Sequence, residues 1–275
     1  MKHILAAVDF TETSDNAAIY AADLAKALGA HLTLFHSYSV PVPAGDTSVI
    51  LISPEEFHRV SKRSCSSLAK KIEKRNGIIP AIKLEAGFAV EEISSAAKKL
   101  RADLVVMGMK DDGKFSEIFI GSTSTSVISR AEVPVMVVPS GITFSPYKNI
   151  VFTCDYAKTS SVAYLNVLKN IAQKFNSRLF IVNFISSDTK INKDEKKETM
   201  KLEMKLEGLI HSFYFPVSDN IVNGISTFIE VHGGDLVVMT HHRHSLFYRM
   251  FHENKTKTMS FKTRIPLLNL ADPTT

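Results

Sequence analysis

The chain has 275 residues, a formal net charge of +5, 45% hydrophobic residues and 22% charged residues. That length suits about two domains, and the balance excludes a disordered chain. The Lys and Arg residues are spread along the chain, so the charge does not point to nucleic acid.

His3 to Val8 is a short buried-strand pattern ending at Asp9. Thr11 to Ser14 is rich in N-cap residues, and Ala17 to Leu28 carries the apolar spacing of a helix, with Gly29 placed to end it. His31 to His36 is a second strand, and Ser37 to Ser53, with Pro41, Pro43 and Gly45, is a loop. Pro54 to Asn76 is a long helix, Ala81 to Glu85 a third strand and Ala89 to Arg101 a third helix. Asp103 to Gly108 holds a continuous apolar run, a strand buried on both faces. A helix from Ser122 to Arg130 and a strand from Val133 to Pro139 close the unit. Strands alternating with helices at this spacing imply right-handed crossovers and a parallel sheet.

The pattern then repeats. Residues 142–147 read as a linker between a first domain, 1–141, and a second, 148–275. Asn149 to Asp155 matches the first strand, Thr159 to Phe175 the first helix and Arg178 to Phe184 the second strand. Asp194 to Ser212 is expected as a helix, Tyr214 to Val217 as a strand and Asn220 to His232 as a helix. Asp235 to Thr240 repeats Asp103 to Gly108 almost letter for letter, and Ile265 to Leu270 repeats the closing strand. Two copies of one five-stranded unit account for the length. The Lys-rich stretch Lys190 to Lys205 alternates with Glu and reads as a solvated helix face. No run approaches the ~20 apolar residues that span a bilayer. MKHILAAVDF, interrupted by Asp9, lacks the apolar core of a signal peptide. Cys65 and Cys154 have no metal spacing and read as reduced thiols, so a cytoplasmic protein is expected.

The segment Asp103 to Ser124, DLVVMGMKDDGKFSEIFIGSTS, carries the chemistry. Gly121-Ser122-Thr123-Ser124 opens a helix with small and hydroxyl residues. Free N–H groups and the helix dipole at such a start favour an anion, and Gly admits a phosphate close to the backbone. The hydroxyl run from Ser122 to Ser126 also suits plain helix capping.

These residues resemble the universal stress protein family in its tandem two-domain form. The carriers are VDF at the first strand end, DLVVMG, GSTS and the VPV…VVP closing strand. The resemblance implies two tandem α/β domains, each a five-stranded parallel sheet, Rossmann-like and of the adenine nucleotide α-hydrolase-like type, with a site at the strand carboxyl ends. It implies that Asp9 meets the ribose or adenine, that Ala7, Val8, Ser37 and Met107 line the base, and that Gly108, Gly121, Ser122, Thr123 and Ser124 hold the phosphates. Family members pair through their last strands, so the two halves are expected to pair within one chain as a pseudo-dimer. A homodimer is expected if they do not.

The family's phosphate loop reads Gly, two residues, Gly, nine residues, Gly, then Ser or Thr. Gly108, Gly121 and Ser122 fit it, but the second Gly falls on Asp111. A non-Gly residue at φ > 0 costs roughly 1–2 kcal/mol. A carboxylate about 5 Å from a phosphate adds on the order of 3 kcal/mol of repulsion at an effective dielectric near 20. The alternative is that Asp111 or Asp112 holds Mg²⁺ or Mn²⁺ against the phosphates of ATP. The second half has Thr240-His241-His242-Arg243-His244 and Phe251-His252-Glu253-Asn254 in place of the motif. No ATP is expected there. His241, His242, His244 and His252 suit Zn, Ni or Cu by chemistry, yet lack a partner at ligand spacing and read as a basic loop. His31, His36 and His58 read as structural or surface residues.

An enzyme of the related ATP pyrophosphatase class would want an SGGxDS-like loop after the first strand. The chain has Asp9-Phe10-Thr11-Glu12-Thr13-Ser14, without glycine, so no catalysis is expected. Two functions remain: a non-catalytic stress-response module binding an adenine nucleotide in its first half, or a nucleotide-independent scaffold acting through protein contacts.

Overall fold

The computed structural model describes residues 1–39, 53–109, 118–119, 122–154, 165–185, 193–241, 260–261 and 265–271. β1 (His3–Ala7) is flanked in parallel by β2 (His31–Tyr38) and β4 (Leu104–Met109). β3 (Ala81–Ala86) joins β2, and β6 (Val135–Pro139) joins β4, both parallel. Helices α1 (Glu12–Leu28), α2 (Pro54–Asn76), α3 (Ala89–Lys99) and α4 (Ser122–Arg130) connect them, with a two-residue strand β5 (Ile118–Phe119) just ahead of α4.

The second half follows the same plan. Its elements are β7 (Asn149–Thr153), α5 (Leu165–Phe175), β8 (Arg178–Val182), α6 (Lys193–Lys205), β9 (Ile210–Tyr214), α7 (Ile221–His232), β10 (Leu236–His241), β11 (Ser260–Phe261) and β12 (Leu267–Ala271). All large strands form one ten-stranded sheet, ordered β3-β2-β1-β4-β6-β12-β10-β7-β8-β9. The closing strands β6 and β12 meet antiparallel at its centre, Leu267 opposite Val137 and Asn269 opposite Val135. That seam occupies the β6 and β12 edges and leaves β3 and β9 as the edges of the whole sheet.

Local chemistry sets the helix ends. Thr11 is the N-cap of α1 and accepts from the Ser14 amide, so the helix starts at Glu12 rather than Ala17. Gly29 ends it at φ 67°. Ser53 and Pro54 start α2, and Gly77, at φ 77°, ends it. One expected pair of elements is wrong. The helix expected from Asp194 to Ser212 stops at Lys205, because Gly208 takes φ 81° and turns the chain. Ile210–Tyr214 is then the strand expected at Tyr214–Val217, and Val217 keeps only a bridge to Ile185.

Both faces of the sheet carry a core that runs through the two halves. On one side Ile4, Leu24, Ile72, Met136, Ile150, Leu168 and Leu202 belong to a single cluster. On the other, Ile93, Val127, Val135, Ile225 and Leu267 do the same. The segment read as a linker enters the first core. Tyr147 is 1% exposed, its hydroxyl lies 2.6 Å from that of Tyr20, and Phe144 packs edge-on against both rings.

Candidate functional site

In the first half, β2 and β3 lie to one side of β1 and β4 and β6 to the other, so the strand order reverses between β1 and β4. Crevices at such switch points, beyond the strand carboxyl ends, are where open α/β sheets place ligands. Ala6 stands opposite Val106, which brings Ala7 and Val8 level with Met107 and Gly108 at the mouth.

The strand period divides these residues between two faces. Ala7, Met107 and Phe35 belong to the core packed by α3 and α4, and Ser37 shares the Phe35 face. Val8 belongs to the core packed by α1 and α2. Ala7, Val8 and Met107 are buried, and Ser37 is half-buried. The structure thus brings Ala7, Ser37 and Met107 to one side and Val8 to the other.

Asp9 lies just past the end of β1 and is exposed. Its carboxylate turns onto the next helix, accepting from the Thr11 hydroxyl at 2.6 Å and the Thr11 amide at 3.1 Å. Partial burial pushes the Asp9 carboxyl up, but hydrogen bonds from Thr11 and Ser14 outweigh it and hold the group below its ordinary value of 3.8. Asp9 is therefore ionised at neutral pH and engaged in an Asx-type turn.

Gly108 has a packing role that spacing does not reveal. A Cβ there would lie 2.8 Å from the Thr13 carbonyl oxygen and 2.9 Å from its carbonyl carbon and Cγ2. Only glycine lets β4 end against the first turn of α1. On the far side of the mouth, the Ser124 hydroxyl donates to the Gly108 carbonyl at 3.3 Å, which ties the start of α4 to the end of β4. Ser122 and Thr123 stay exposed at that start. Gly121, Asp111 and Asp112 lie outside the described residues.

Phe10, which sequence reasoning passed over, and His36 frame the mouth. Phe10 takes φ 64°, a left-handed conformation that is an outlier for a bulky side chain. Its ring packs 4.4 Å from that of His36. The His36 Nδ1 lies 2.7 Å from the Val8 carbonyl and must donate to it, which places the neutral ring's proton on Nδ1. His36 is the structural residue expected, closing the Val8 carbonyl just past β1. Nothing in a single sequence marks Phe10 for positive φ.

The corresponding place in the second half is filled differently. Thr240 stands where Gly108 does, and Thr153 where Ala7 does; both are buried, and the Thr153 hydroxyl donates to the Val238 carbonyl at 3.3 Å. Asp155, His242, His244 and His252 lie outside the described residues, and His241 enters only as the end of β10. Among the described residues, no three His, Cys, Asp or Glu side chains converge as a metal site. No helix there is long and apolar enough to cross a membrane.

A half-open groove of about 410 Å³ lies at the opposite, amino-terminal end of β4, lined by Ser95, Lys98, Arg101, Arg130 and Glu132 among others. Lys98 pairs with Glu132 at 3.0 Å and Arg130 with Glu91 at 2.6 Å. These cations sit at the carboxyl ends of α3 and α4, where positive side chains complement the helix dipole.

Comparison with known proteins agrees with this architecture. A universal stress protein of Thermus aquaticus is 32% identical over 139 residues, 50% of this chain and 98% of that one. The stress response protein NhaX of Bacillus subtilis is 25% identical over 159 residues, 49% of this chain and 96% of that one. Each of these relatives is thus matched to about half of this chain. A solved universal stress protein from Archaeoglobus fulgidus has the same fold along the whole length, with a TM-score of 0.75, 18% identity and 98% of both chains covered. Residues 1–139 match the model of the universal stress protein family, and the chain belongs to that family.

Proposed function

We propose that this chain is a non-catalytic, cytoplasmic stress-response module whose first domain, 1–141, binds an adenine nucleotide, while its second, 148–275, does not. The observation that carries this reading is the β1/β4 switch point with the exposed, hydroxyl-rich start of α4 beside it. In this reading Ala7, Val8, Ser37 and Met107 line the base, Asp9 meets the ribose or adenine, and Gly108, Gly121, Ser122, Thr123 and Ser124 hold the phosphates. Mg²⁺ held by Asp111 turns the carboxylate's repulsion into a bridge. Thr240 in place of Gly108 supports a second half without ATP. The two halves act as an intramolecular pseudo-dimer.

A second reading has one specific observation in its favour. The Asp9 carboxylate is already engaged by Thr11, so binding ribose or adenine through it requires that turn to open or to share the carboxylate. A scaffold acting through protein contacts makes no such demand. Titration calorimetry with ATP, with and without Mg²⁺, on wild type and Asp111→Gly separates the two. Mg²⁺-dependent binding by wild type supports the bridged site. Binding gained only in Asp111→Gly, or absent from both proteins, moves the function to protein partners.

A further inference from the structure

We propose that the second half of the chain supplies a strand that positions the first half's phosphate-binding segment: β11 clasps β5 and thereby holds the start of α4. Ser260 stands opposite Phe119 and Phe261 opposite Ile118 in an antiparallel ribbon separate from the main sheet. β5 belongs to the stretch between β4 and α4, and Phe119 is three residues before Ser122 (122 − 119 = 3). β11 belongs to the stretch between β10 and β12 of the other half.

The central seam explains why these two segments meet. Because β12 runs antiparallel to β6, the chain enters β12 from the end at which β4 and β6 finish. Leu267 is opposite Val137, and Gly108 is level with Val138. β11 ends six residues ahead of β12 (267 − 261 = 6), a reach of at most about 20 Å even when extended. The second half therefore has to deliver β11 to the first half's strand carboxyl ends. Its own carboxyl ends, at β10, lie at the opposite end of the sheet.

A two-residue ribbon is marginal by itself. Its ends are anchored by β4 and α4 on one side and by β12 on the other, so it forms at little further entropic cost and opens as a local unit. Pairing fixes the backbone of Ile118 and Phe119, and Ser124 fixes the first turn of α4 from the other direction through the Gly108 carbonyl. β5 and the start of α4, which flank Gly121 of the family motif, are thus each tied down, β5 by the second half and α4 by the first. In its own counterpart of that motif, from Thr240 to Asn254, the second half has no glycine; it contributes a strand to its neighbour instead. The consequence for ligand binding rests on the nucleotide reading above. The clasp itself does not.

The experiment pairs a cross-link with hydrogen exchange on the full chain. Directly opposed residues have Cβ atoms about 4.5–5.5 Å apart, close enough for a disulfide after small adjustment. Phe119→Cys/Ser260→Cys is expected to oxidise within the chain under mild oxidant, read as the loss of two hydrogens by mass. A control pairing Phe119→Cys with Ser67→Cys on the outer face of α2 is expected to stay reduced. Cys65 and Cys154 are buried and do not compete. Ser260→Pro, whose fixed φ of about −65° departs from that of an antiparallel strand, is expected to speed exchange of the α4 amides about tenfold or more through local opening, with α1 unchanged. Failure of the cross-link to form, or α4 exchange that neither Ser260→Pro nor the disulfide alters, overturns the proposal. If Ser260→Pro loosens α1 as well, the oxidised and reduced double-cysteine protein decides: slower α4 exchange on oxidation supports the clasp, and unchanged exchange overturns it. Calorimetry on the same proteins reads the functional part. ATP affinity reduced in Ser260→Pro supports positioning, and affinity equal to wild type with α4 loosened overturns it. A wild type that binds no ATP counts against the nucleotide reading alone, since the exchange result stands without ligand.

Discussion

Gly108 shows how one residue can carry two arguments at once. The family motif assigns it to phosphate, but the Thr13 backbone claims the space of its missing side chain first. Gly108→Ala is therefore expected to lower stability without any ligand, by about 1–3 kcal/mol, as overpacking does. The check is the urea midpoint of the ligand-free protein. An unchanged midpoint would mean that α1 can withdraw from β4 freely. Two of the three crowded atoms are backbone, so trimming the Thr13 side chain does not rescue the variant, and a loss of ATP binding in it is no proof of phosphate contact. Asp15, one turn into α1, is a different residue-scale case. One of its carboxylate oxygens is buried without a partner. Burial raises its pKa above 3.8, Lys71 opposes this and the charge of Asp9 adds to it. A carboxyl with a raised folded pKa costs stability progressively as pH climbs from its ordinary value through the folded one, and the cost persists at neutral pH. Asp15→Asn is expected to raise the urea midpoint at pH 7, with the gain vanishing near pH 3, where Asp15 is protonated in both states. A gain that is flat with pH would point to packing rather than charge. The same charge, after burial itself, helps push the neighbouring Cys65 thiol up to about 12, leaving it neutral and unreactive.

At the scale of elements, legibility followed how local the deciding chemistry was. α2 runs from Pro54 to Asn76, as read from sequence, because Ser53, Pro54 and Gly77 punctuate it on either side. α6 ends short of its expected boundary because a Lys- and Glu-rich stretch carries no stop of its own, and the signal that sets it, Gly208, is a single residue. The segment read as a linker follows Gly141 and contains Pro146, which suggest a tether. Yet Ile142, Phe144 and Tyr147 enter the core, and the side-chain amide of Asn16 donates to the carbonyls of Pro139 and Ile142. That burial depends on α1 and α5 arriving from distant parts of the chain. The candidate site divides in the same way. Its strand ends and the start of α4 follow from periodicity. The left-handed Phe10, the Gly108–Thr13 approach and the β5–β11 ribbon are products of tertiary packing and leave no mark on a local pattern.

For the whole molecule the central seam decides what can exist alone. Every residue of β6 from Val135 to Pro139 is buried, and among the described residues its outer edge is paired with β12. A first half of residues 1–141 made separately would expose that edge as a flat, apolar strand with free N–H and C=O groups, a strong template for pairing. It would also lose Tyr147, the hydrogen-bonding partner of the buried Tyr20 hydroxyl. The natural replacement for β12 is a second copy of β6, which carries the same kind of residues and suits the same antiparallel register. Sedimentation of residues 1–141 is therefore expected to show a dimer, while the full chain, whose seam is already filled, sediments as a monomer. A cysteine placed at Val135 or Val137 would test the pairing. Because Val137 faces Leu267 and Val135 faces Asn269, the positions equivalent to Val135 and Val137 in the second half, a β6–β6 dimer in the same register sets Val135 of one copy opposite Val137 of the other. Mixed Val135→Cys and Val137→Cys proteins should then cross-link more readily than either alone. A stable monomer of residues 1–141 would mean that the first half closes its own edge, and that the two halves are joined by less than their shared cores imply.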